Sequence, residues 1–173
     1  MRWQAVAEDH RASVSEFVAA ARAVAAEDWD AQPLPDKWSA GQIAEHLRLT
    51  YEILLRELGG GTGIRVRLPW WRRTLLRLTV LRRIVERGAF PSGSPAVREI
   101  RPGGGPFDRV ATIAAVEDLA ARLLAGLEIR PEARLSHAFF GRMSPQVGLR
   151  MLAAHNRHHA AQLPAARATT ISA

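Results

Sequence analysis

The sequence from residue 144 to residue 163 reads SPQVGLRMLAAHNRHHAAQL. Its small and apolar residues recur at intervals of three and four, which predicts an amphipathic helix. Ser144 followed by Pro145 is typical of a helix start, because a proline at the first helical position has no amide to leave unpaired. The face predicted to point inward carries Gly148, Leu152, His155, His159 and Gln162. Since a core-facing helix is normally apolar, these polar residues indicate a site inside a helical bundle.

Three further segments show helical periodicity, at about 3–26, 39–58 and 109–127. Ser39 and Gln42 have the spacing of a capping box at the start of the second helix, and the glycines at 59–61 end it. Asp108 is placed to cap the third helix. Neither strand alternation nor an internal repeat is evident, so the sequence predicts an all-α fold.

A long crossover separates the second helix from the third. It spans about fifty residues, 59–108, whereas neighbouring helices of a bundle are joined by roughly two to eight. Pro69–Gly88 within it is a further helical candidate, whose expected apolar stripe is Trp71, Leu75, Leu78, Leu81 and Val85. The predicted architecture is therefore a four-helix bundle in a single domain, 1–173, with an arginine-rich helix inserted at 59–108.

The net positive charge of the chain comes from the segment 64–88, which contains this inserted helix. The chain has 24 Lys and Arg against 17 Asp and Glu, a net charge of +7. Residues 64–88 contain eight arginines and one acid, Glu86, so they account for the whole excess. One alternative function is therefore a non-catalytic bundle whose basic amphipathic helix binds a membrane surface, nucleic acid or an acidic partner. Solvated arginines on an inserted helix are the simpler explanation, so membrane and nucleic acid are not the main prediction.

Composition excludes several other classes of function. The chain has no cysteine, which rules out disulfides, thiolate metal ligands and catalytic thiols of its own. No run of about 18 apolar residues occurs, and the first residues lack the apolar core of a signal peptide. We therefore expect a cytoplasmic protein.

Three histidines form a pattern that suits a metal ion. His155 and His159 are four residues apart, so both imidazoles project from one helix face and can bind one ion at about 2.0–2.1 Å. His46 lies on the core-facing side of the second helix. If the second and fourth helices lie side by side, His46 completes a three-histidine site with an open position for water or substrate.

Two features near this pair limit the alternatives. His158 could pair with His155 at a spacing of three, but His159 is in line with the other inward residues, so His158 is assigned to the edge of the face. Asn156 stands where the H-E-x-x-H metalloprotease motif has its glutamate. Peptide hydrolysis by that route is therefore not expected.

Weaker candidates surround the three histidines. Gln162 and Gln42 could orient a ligand or contact substrate, and His137 could line the mouth of the site. His10 is expected to be a hydrogen-bonded core residue, and Glu45 a surface or interhelix charge. Since no carboxylate is clearly placed as a general base, the catalytic residues stay unassigned.

Three stretches of the chain resemble a known family. They are WSAGQIAEHL at 38–47, SHAFFGRMSP at 136–145 and LAAHNRHHAAQL at 152–163. The first is a tryptophan-led helix start that contains His46. After a long crossover come a Phe-Gly turn and a terminal His-x-x-x-His-x-x-Gln helix. In this order they resemble the DinB-like (damage-inducible) superfamily of metal-binding four-helix bundles.

The resemblance implies that His46, His155 and His159 bind a divalent ion, commonly nickel or zinc, with water completing the coordination. Related proteins include transferases and isomerases that use mycothiol, bacillithiol or glutathione, so a low-molecular-weight thiol is one cosubstrate that the resemblance allows. Hydrolysis of an ester, an amide or a related electrophile is equally consistent with three neutral ligands and an open position. The prediction is a metal-dependent hydrolase or thiol-dependent transferase or isomerase with a small-molecule substrate. Family bundles often pair, so a homodimer is compatible with the resemblance.

Overall fold

The structure is a computed structural model that describes residues 2–64, 66–88, 90 and 96–164. Its helices are α1 (Trp3–Ala23), α2 (Ala40–Leu58), α3 (Trp70–Leu76), α4 (Arg82–Arg87), α5 (Arg109–Glu128) and α6 (Pro145–Ala160). A π-helical turn, Arg77–Leu81, joins α3 to α4. Short 3-10 turns occur at Ala26–Asp28 and Arg98–Ile100, and two strands, β1 (Leu135–His137) and β2 (Gly141–Met143), precede α6.

Four of these helices form the bundle. α1 packs along α6, α2 packs along α5, and α1 also contacts α5. The side chains at the centre are almost completely buried and include Phe17, Leu47, Tyr51, Leu123, Leu127, Leu149 and Leu152. The prediction of an all-α four-helix bundle is confirmed. Among the described residues, no helix combines the length and the apolar character needed to cross a membrane.

The helix starts follow the predicted chemistry. Ser39 Oγ accepts a bond from the Gln42 amide at 3.1 Å, and Gln42 Oε1 accepts one from the Ser39 amide at 3.0 Å. This confirms the capping box that begins α2. Asp108 caps α5 by accepting a bond from the Ala111 amide at 2.9 Å. Because the capping box of Ser39 and Gln42 fixes where α2 starts, it also fixes how far along the bundle His46 lies.

The small hairpin before α6 was not predicted. Leu135–His137 pairs antiparallel with Gly141–Met143, with His137 opposite Gly141. Strands of three residues are too short to show an alternating pattern, which explains why the sequence did not reveal them. Gly141 has a φ of 68°, a backbone conformation that favours glycine.

The prediction for the apolar stripe of the inserted helix is wrong in part. Trp71, Leu75 and Leu78 are 52%, 56% and 66% exposed, whereas the bundle-facing side buries Leu81 and Ile84. Arginines explain this orientation, because two of them form hydrogen bonds between the inserted helix and the rest of the chain. Arg77 Nη1 donates to the carbonyls of Phe140 at 3.0 Å and Arg142 at 2.9 Å. Arg150 of α6 likewise donates to the carbonyl of Val85.

Candidate metal centre

Three histidines from two helices meet in the bundle interior. The Nε2 atom of His155 lies 3.2 Å from Nε2 of His46 and 3.0 Å from Nε2 of His159. One ring nitrogen from each lies within 4.8 Å of the others. All three side chains are buried, with residue exposures of 3%, 9% and 6% for His46, His155 and His159. The structure therefore brings together the three residues that the sequence pattern selected.

Hydrogen bonds on the far side of two rings fix which nitrogen points into the cluster. His46 Nδ1 lies 2.7 Å from the carbonyl oxygen of Ile100, so it must carry the proton and donate. His159 Nδ1 lies 2.8 Å from Gln162 Oε1 and donates in the same way. In a neutral imidazole the other nitrogen is then unprotonated. Both Nε2 atoms consequently direct lone pairs at His155.

This arrangement fits a bound cation. His155 Nε2 carries at most one proton, which can satisfy only one of its two close Nε2 contacts. At least one contact therefore joins two lone pairs, an arrangement that a cation relieves. Two nitrogens bound to one tetrahedral ion at 2.0–2.1 Å lie roughly 3.3 Å apart, close to the spacing seen here.

Burial keeps the cluster neutral. Loss of solvation lowers the pKa of His159 to about 3, helped by the nearby His46. The pKa of His155 lies well below its usual value for the same reason, and neighbouring histidines lower it further. Burial also lowers the pKa of His46. Since a histidine must be unprotonated to bind a metal, the environment favours the ligating form near neutral pH.

Two aromatic side chains form walls beside the cluster. The ring of Trp38 lies 5.0 Å from that of His46 and stacks at 6.4 Å on that of His159. Phe90, from the crossover, lies 5.0 Å from the His155 ring. Aromatic walls limit access of water to the ligating nitrogens and lower the local dielectric constant. Neither residue was predicted to be part of the site, nor was Ile100. Phe90 and Ile100 belong to the crossover, which carries no periodic signal that places its loops, and Trp38 was noted only as the residue that leads the start of the second helix.

Comparison with known families decides the relationship. The family model of the DinB superfamily matches residues 9–163. This chain belongs to the DinB superfamily.

Solved structures similar to this DinB-superfamily chain share its fold. Bacillus subtilis YfiT, described as a probable metal-dependent hydrolase with an unusual four-helix-bundle topology, has 12% identity and a TM-score of 0.55, with 94% of this chain and 83% of YfiT covered. TT2238, described as a four-helix bundle protein, has 19% identity and a TM-score of 0.52, with coverage of 93% and 97%. No curated protein matches the sequence significantly. At these identities the likeness shows the fold alone.

The remaining site candidates of this DinB-superfamily chain occupy different positions. Gln162 lies beside the cluster, because its Oε1 accepts from His159 while its Nε2 donates to His158 Nε2 at 2.9 Å. His158 therefore lies at the edge, as expected, and its ring contacts Phe90. Gln42 is engaged in the cap of α2, and its Nε2 donates to the Gly103 carbonyl at 3.0 Å. A role for either glutamine toward substrate stays a prediction.

His137 is built into the hairpin. Its ring stacks on Phe140 at 4.4 Å, and its Nδ1 accepts from the amides of Phe139 and Phe140 at 3.2 and 3.4 Å. Burial lowers its pKa to about 4. These contacts give the side chain a structural role in the turn, and the suggestion that it lines the mouth of the site stays a prediction.

His10 has the structural role expected of it, whereas Glu45, expected as a surface or interhelix charge, forms an ion pair within α2. His10 Nε2 lies 3.0 Å from the hydroxyl of Tyr51, in a buried network that continues to Asn156. Both carboxylate oxygens of Glu45 accept from Arg48, at 2.7 and 2.9 Å. His10 is thus a hydrogen-bonded core residue, and Glu45 is an ion-paired residue of α2.

Proposed function

We propose that this protein is a metal-dependent enzyme that acts on a small electrophile, with His46, His155 and His159 as ligands of one divalent ion, nickel or zinc. The observation that carries the proposal is the convergence of three Nε2 atoms, two of which are unprotonated because their Nδ1 atoms donate to Ile100 and Gln162. Such a donor set is neutral and has three members, as in catalytic zinc sites that keep a position open for water or substrate.

When bound, an ion of this kind lowers the pKa of a water or thiol ligand and polarises a carbonyl group, which suits hydrolysis of an ester or amide. The chain's own residues prepare the site. Ile100 and Gln162 hold the protons of two imidazoles away from the centre. Trp38 and Phe90 limit the access of water on two sides. The residue that transfers protons during the reaction is unassigned.

A thiol-dependent transferase or isomerase is the second candidate. A cleft of about 430 Å³ borders Trp38 and Gln42, and its lining includes Lys37 and Arg101. The lining also includes one acid, Asp36, so its cations outnumber its acids two to one, which favours an anionic cosubstrate such as a low-molecular-weight thiol bearing carboxylates. The chain has no cysteine, so the thiol would come from the cosubstrate.

Metal analysis tests the proposal directly. Protein purified without a polyhistidine tag should contain about one equivalent of a divalent metal, measured by inductively coupled plasma mass spectrometry. His155→Ala should lose it while keeping the helical circular dichroism spectrum. His158→Ala is the matched control on the same helix and should keep the metal. A wild-type protein that binds neither nickel nor zinc, even after reconstitution, would refute the proposal.

The type of reaction is tested with the reconstituted protein. Turnover of activated esters or amides without thiol supports the hydrolase, whereas conjugation that requires mycothiol, bacillithiol or glutathione supports the transferase. A double variant, Lys37→Gln with Arg101→Gln, should raise the KM for the thiol only if the cleft binds it. A metal content equal to that of wild type is the internal control for the double variant.

Two further parts of the proposal rest on the sequence and the resemblance. They are a cytoplasmic location and association of two copies of the chain. Light scattering coupled to size-exclusion chromatography would measure the mass in solution. Fractionation of cells that express the protein would locate it.

A further inference from the structure

We propose that the outer face of α3 and α4 docks this protein on an anionic lipid bilayer. The surface consists of an outer stripe, defined as Trp70, Trp71, Leu75 and Leu78, together with the arginines around it. This binding is a separate property from the metal centre and does not depend on it.

The side chains of the outer stripe are exposed on the surface and are not packed into the core of the bundle. The four side chains are 79%, 52%, 56% and 66% exposed in sequence order. Other large apolar side chains that are exposed among the described residues, Leu34, Val110 and Ile129, lie at separate positions. Single exposed apolar residues are normal in globular proteins, whereas a contiguous group marks an interaction site.

The helix is held so that this stripe must point away from the bundle. On the inner side, Leu81 and Ile84 are buried, and α4 packs against α6. Arg77 bonds two hairpin carbonyls, and Arg150 bonds the carbonyl of Val85. Rotation that would bury Trp71 and Leu78 would therefore break these bonds and expose the inner residues.

Charge favours an anionic surface as the occupant. Exposed arginines lie on the same segment of chain as the outer stripe; they are Arg67, Arg72, Arg82, Arg83 and Arg87. The guanidinium of Arg72 lies over the Trp71 ring, 5.0 Å from its centroid. Tryptophan and leucine beside arginine are typical of helices that lie in the interface of a membrane, where apolar groups enter and cations meet the headgroups.

The same charges argue against a second copy of the chain as the occupant. The segment 64–88 carries eight arginines and one acid, and Arg82 pairs with that acid, Glu86, at 2.8 Å. Two copies of this face brought together would place arginines against arginines, which is unfavourable. Anionic headgroups supply the opposite charge along the whole surface.

Vesicle sedimentation tests the proposal with the full chain. Wild type should bind vesicles of phosphatidylcholine with phosphatidylglycerol and bind pure phosphatidylcholine at least about tenfold more weakly. Binding should weaken when salt rises from about 0.01 M to about 1 M, because the screening length falls from about 30 Å to about 3 Å. Equal binding to both vesicle types, or no binding to either, would overturn the proposal.

Variants separate the apolar and the charged contributions. The outer-stripe variant combines Trp71→Gln, Leu75→Gln and Leu78→Gln. It should lower vesicle binding about tenfold or more, because in wild type these side chains would enter the membrane interface. The matched control is Leu34→Gln with Val110→Gln and Ile129→Gln, which removes exposed apolar groups elsewhere and should bind as wild type. Equal effects of the two triple variants would contradict the assigned surface. All altered side chains are exposed, so a thermal melt should show both variants folded.

A charge variant completes the test. This variant combines Arg72→Gln, Arg83→Gln and Arg87→Gln and should lower vesicle binding about tenfold or more. The control combines Arg11→Gln, Arg122→Gln and Arg134→Gln and should have a smaller effect. His155→Ala should bind vesicles like wild type, which distinguishes this inference from the metal proposal.

Two results would assign the surface to another occupant and overturn the proposal. One is a concentration-dependent dimer that the outer-stripe variant abolishes, with no vesicle binding by wild type. The other is binding to duplex DNA that is tighter than binding to anionic vesicles at equal salt and that the outer-stripe variant leaves unchanged.

Discussion

The Nε2 atoms of His46 and His155 lie 3.2 Å apart, although His46 belongs to α2 and His155 to α6, 109 residues later in the chain. The two helices meet through these long side chains, while the closest helix packing pairs α1 with α6 and α2 with α5. A space between α2 and α6 is thus closed by imidazoles instead of aliphatic groups. This is where a four-helix bundle can hold an ion between facing helices.

The bond from His159 to Gln162 gives the first prediction. Gln162→Ala removes the acceptor of the Nδ1 proton and should lower metal affinity about 10- to 100-fold, because partners of this kind orient a ligand and raise its basicity. Gln162→Glu offers another acceptor and should restore most of the affinity. Competition titration against a chelator measures both. Gln146→Ala, near the start of the same helix, is the control and should leave affinity unchanged.

The buried histidines outside the cluster give a pH dependence. Burial lowers the pKa of His10 to about 4 and that of His137 to about 4, whereas both have values of about 6.5 in the unfolded chain. Between these two pKa values the unfolded chain binds more protons than the folded chain. The free energy of unfolding therefore has its full value above about pH 6.5 and decreases as the pH falls toward 4.

Each group contributes up to about 1.4 kcal/mol per pH unit in that window. Urea unfolding of the chelator-treated protein between about pH 5 and about pH 7.5 measures the slope. His10→Gln removes one of the groups and should make the slope shallower. A free energy of unfolding that stays constant, or that rises toward pH 5, would contradict the assigned burial of these rings.

Much of the fold could be predicted because its signals are local. Ser39 with Gln42, Asp108, and Ser144 with Pro145 mark helix starts through chemistry within a few residues of each start. The spacing of His155 and His159 is equally local. His46 required a second step, since only packing brings α2 and α6 together.

The parts that could not be predicted depend on contacts between distant segments. Trp71 and Leu78 form an apolar stripe that reads as an inward face, yet both are exposed because Arg77 bonds the hairpin and turns the helix. Ile100 and Phe90 reach the cluster from loops whose paths no periodicity describes. Hydrogen bonds from arginine to backbone carbonyls leave no pattern in a single sequence.

The buried hydrogen-bond network of His10, Ser13, Tyr51 and Asn156 gives a third prediction. Asn156 Nδ2 donates to Ser13 Oγ at 3.0 Å and to the Tyr51 hydroxyl at 2.8 Å, joining α6 to α1 and α2. Asn156→Leu leaves buried polar groups without partners and should lower the free energy of unfolding by about 1–3 kcal/mol, measured in urea. Tyr51→Phe should cost a similar amount, because His10 Nε2 loses its partner. An unchanged stability in both variants would show that the network contributes nothing.

The close approach of α6 to the hairpin gives the last prediction. A Cβ atom at Gly148 would lie 2.6 Å from Leu135 Cδ1, too near for a carbon contact, and Leu135 is only 1% exposed. Gly148→Ala should therefore lower the free energy of unfolding by about 1–3 kcal/mol through overpacking, although alanine favours the helix by about 1 kcal/mol. Gly104→Ala is the control, since a Cβ there meets nothing within 4 Å and φ is not positive. If urea unfolding shows Gly148→Ala to be as stable as the Gly104 variant, then the Leu135 side chain moves aside without loss of stability, and α6 is not tightly packed against the hairpin at this point.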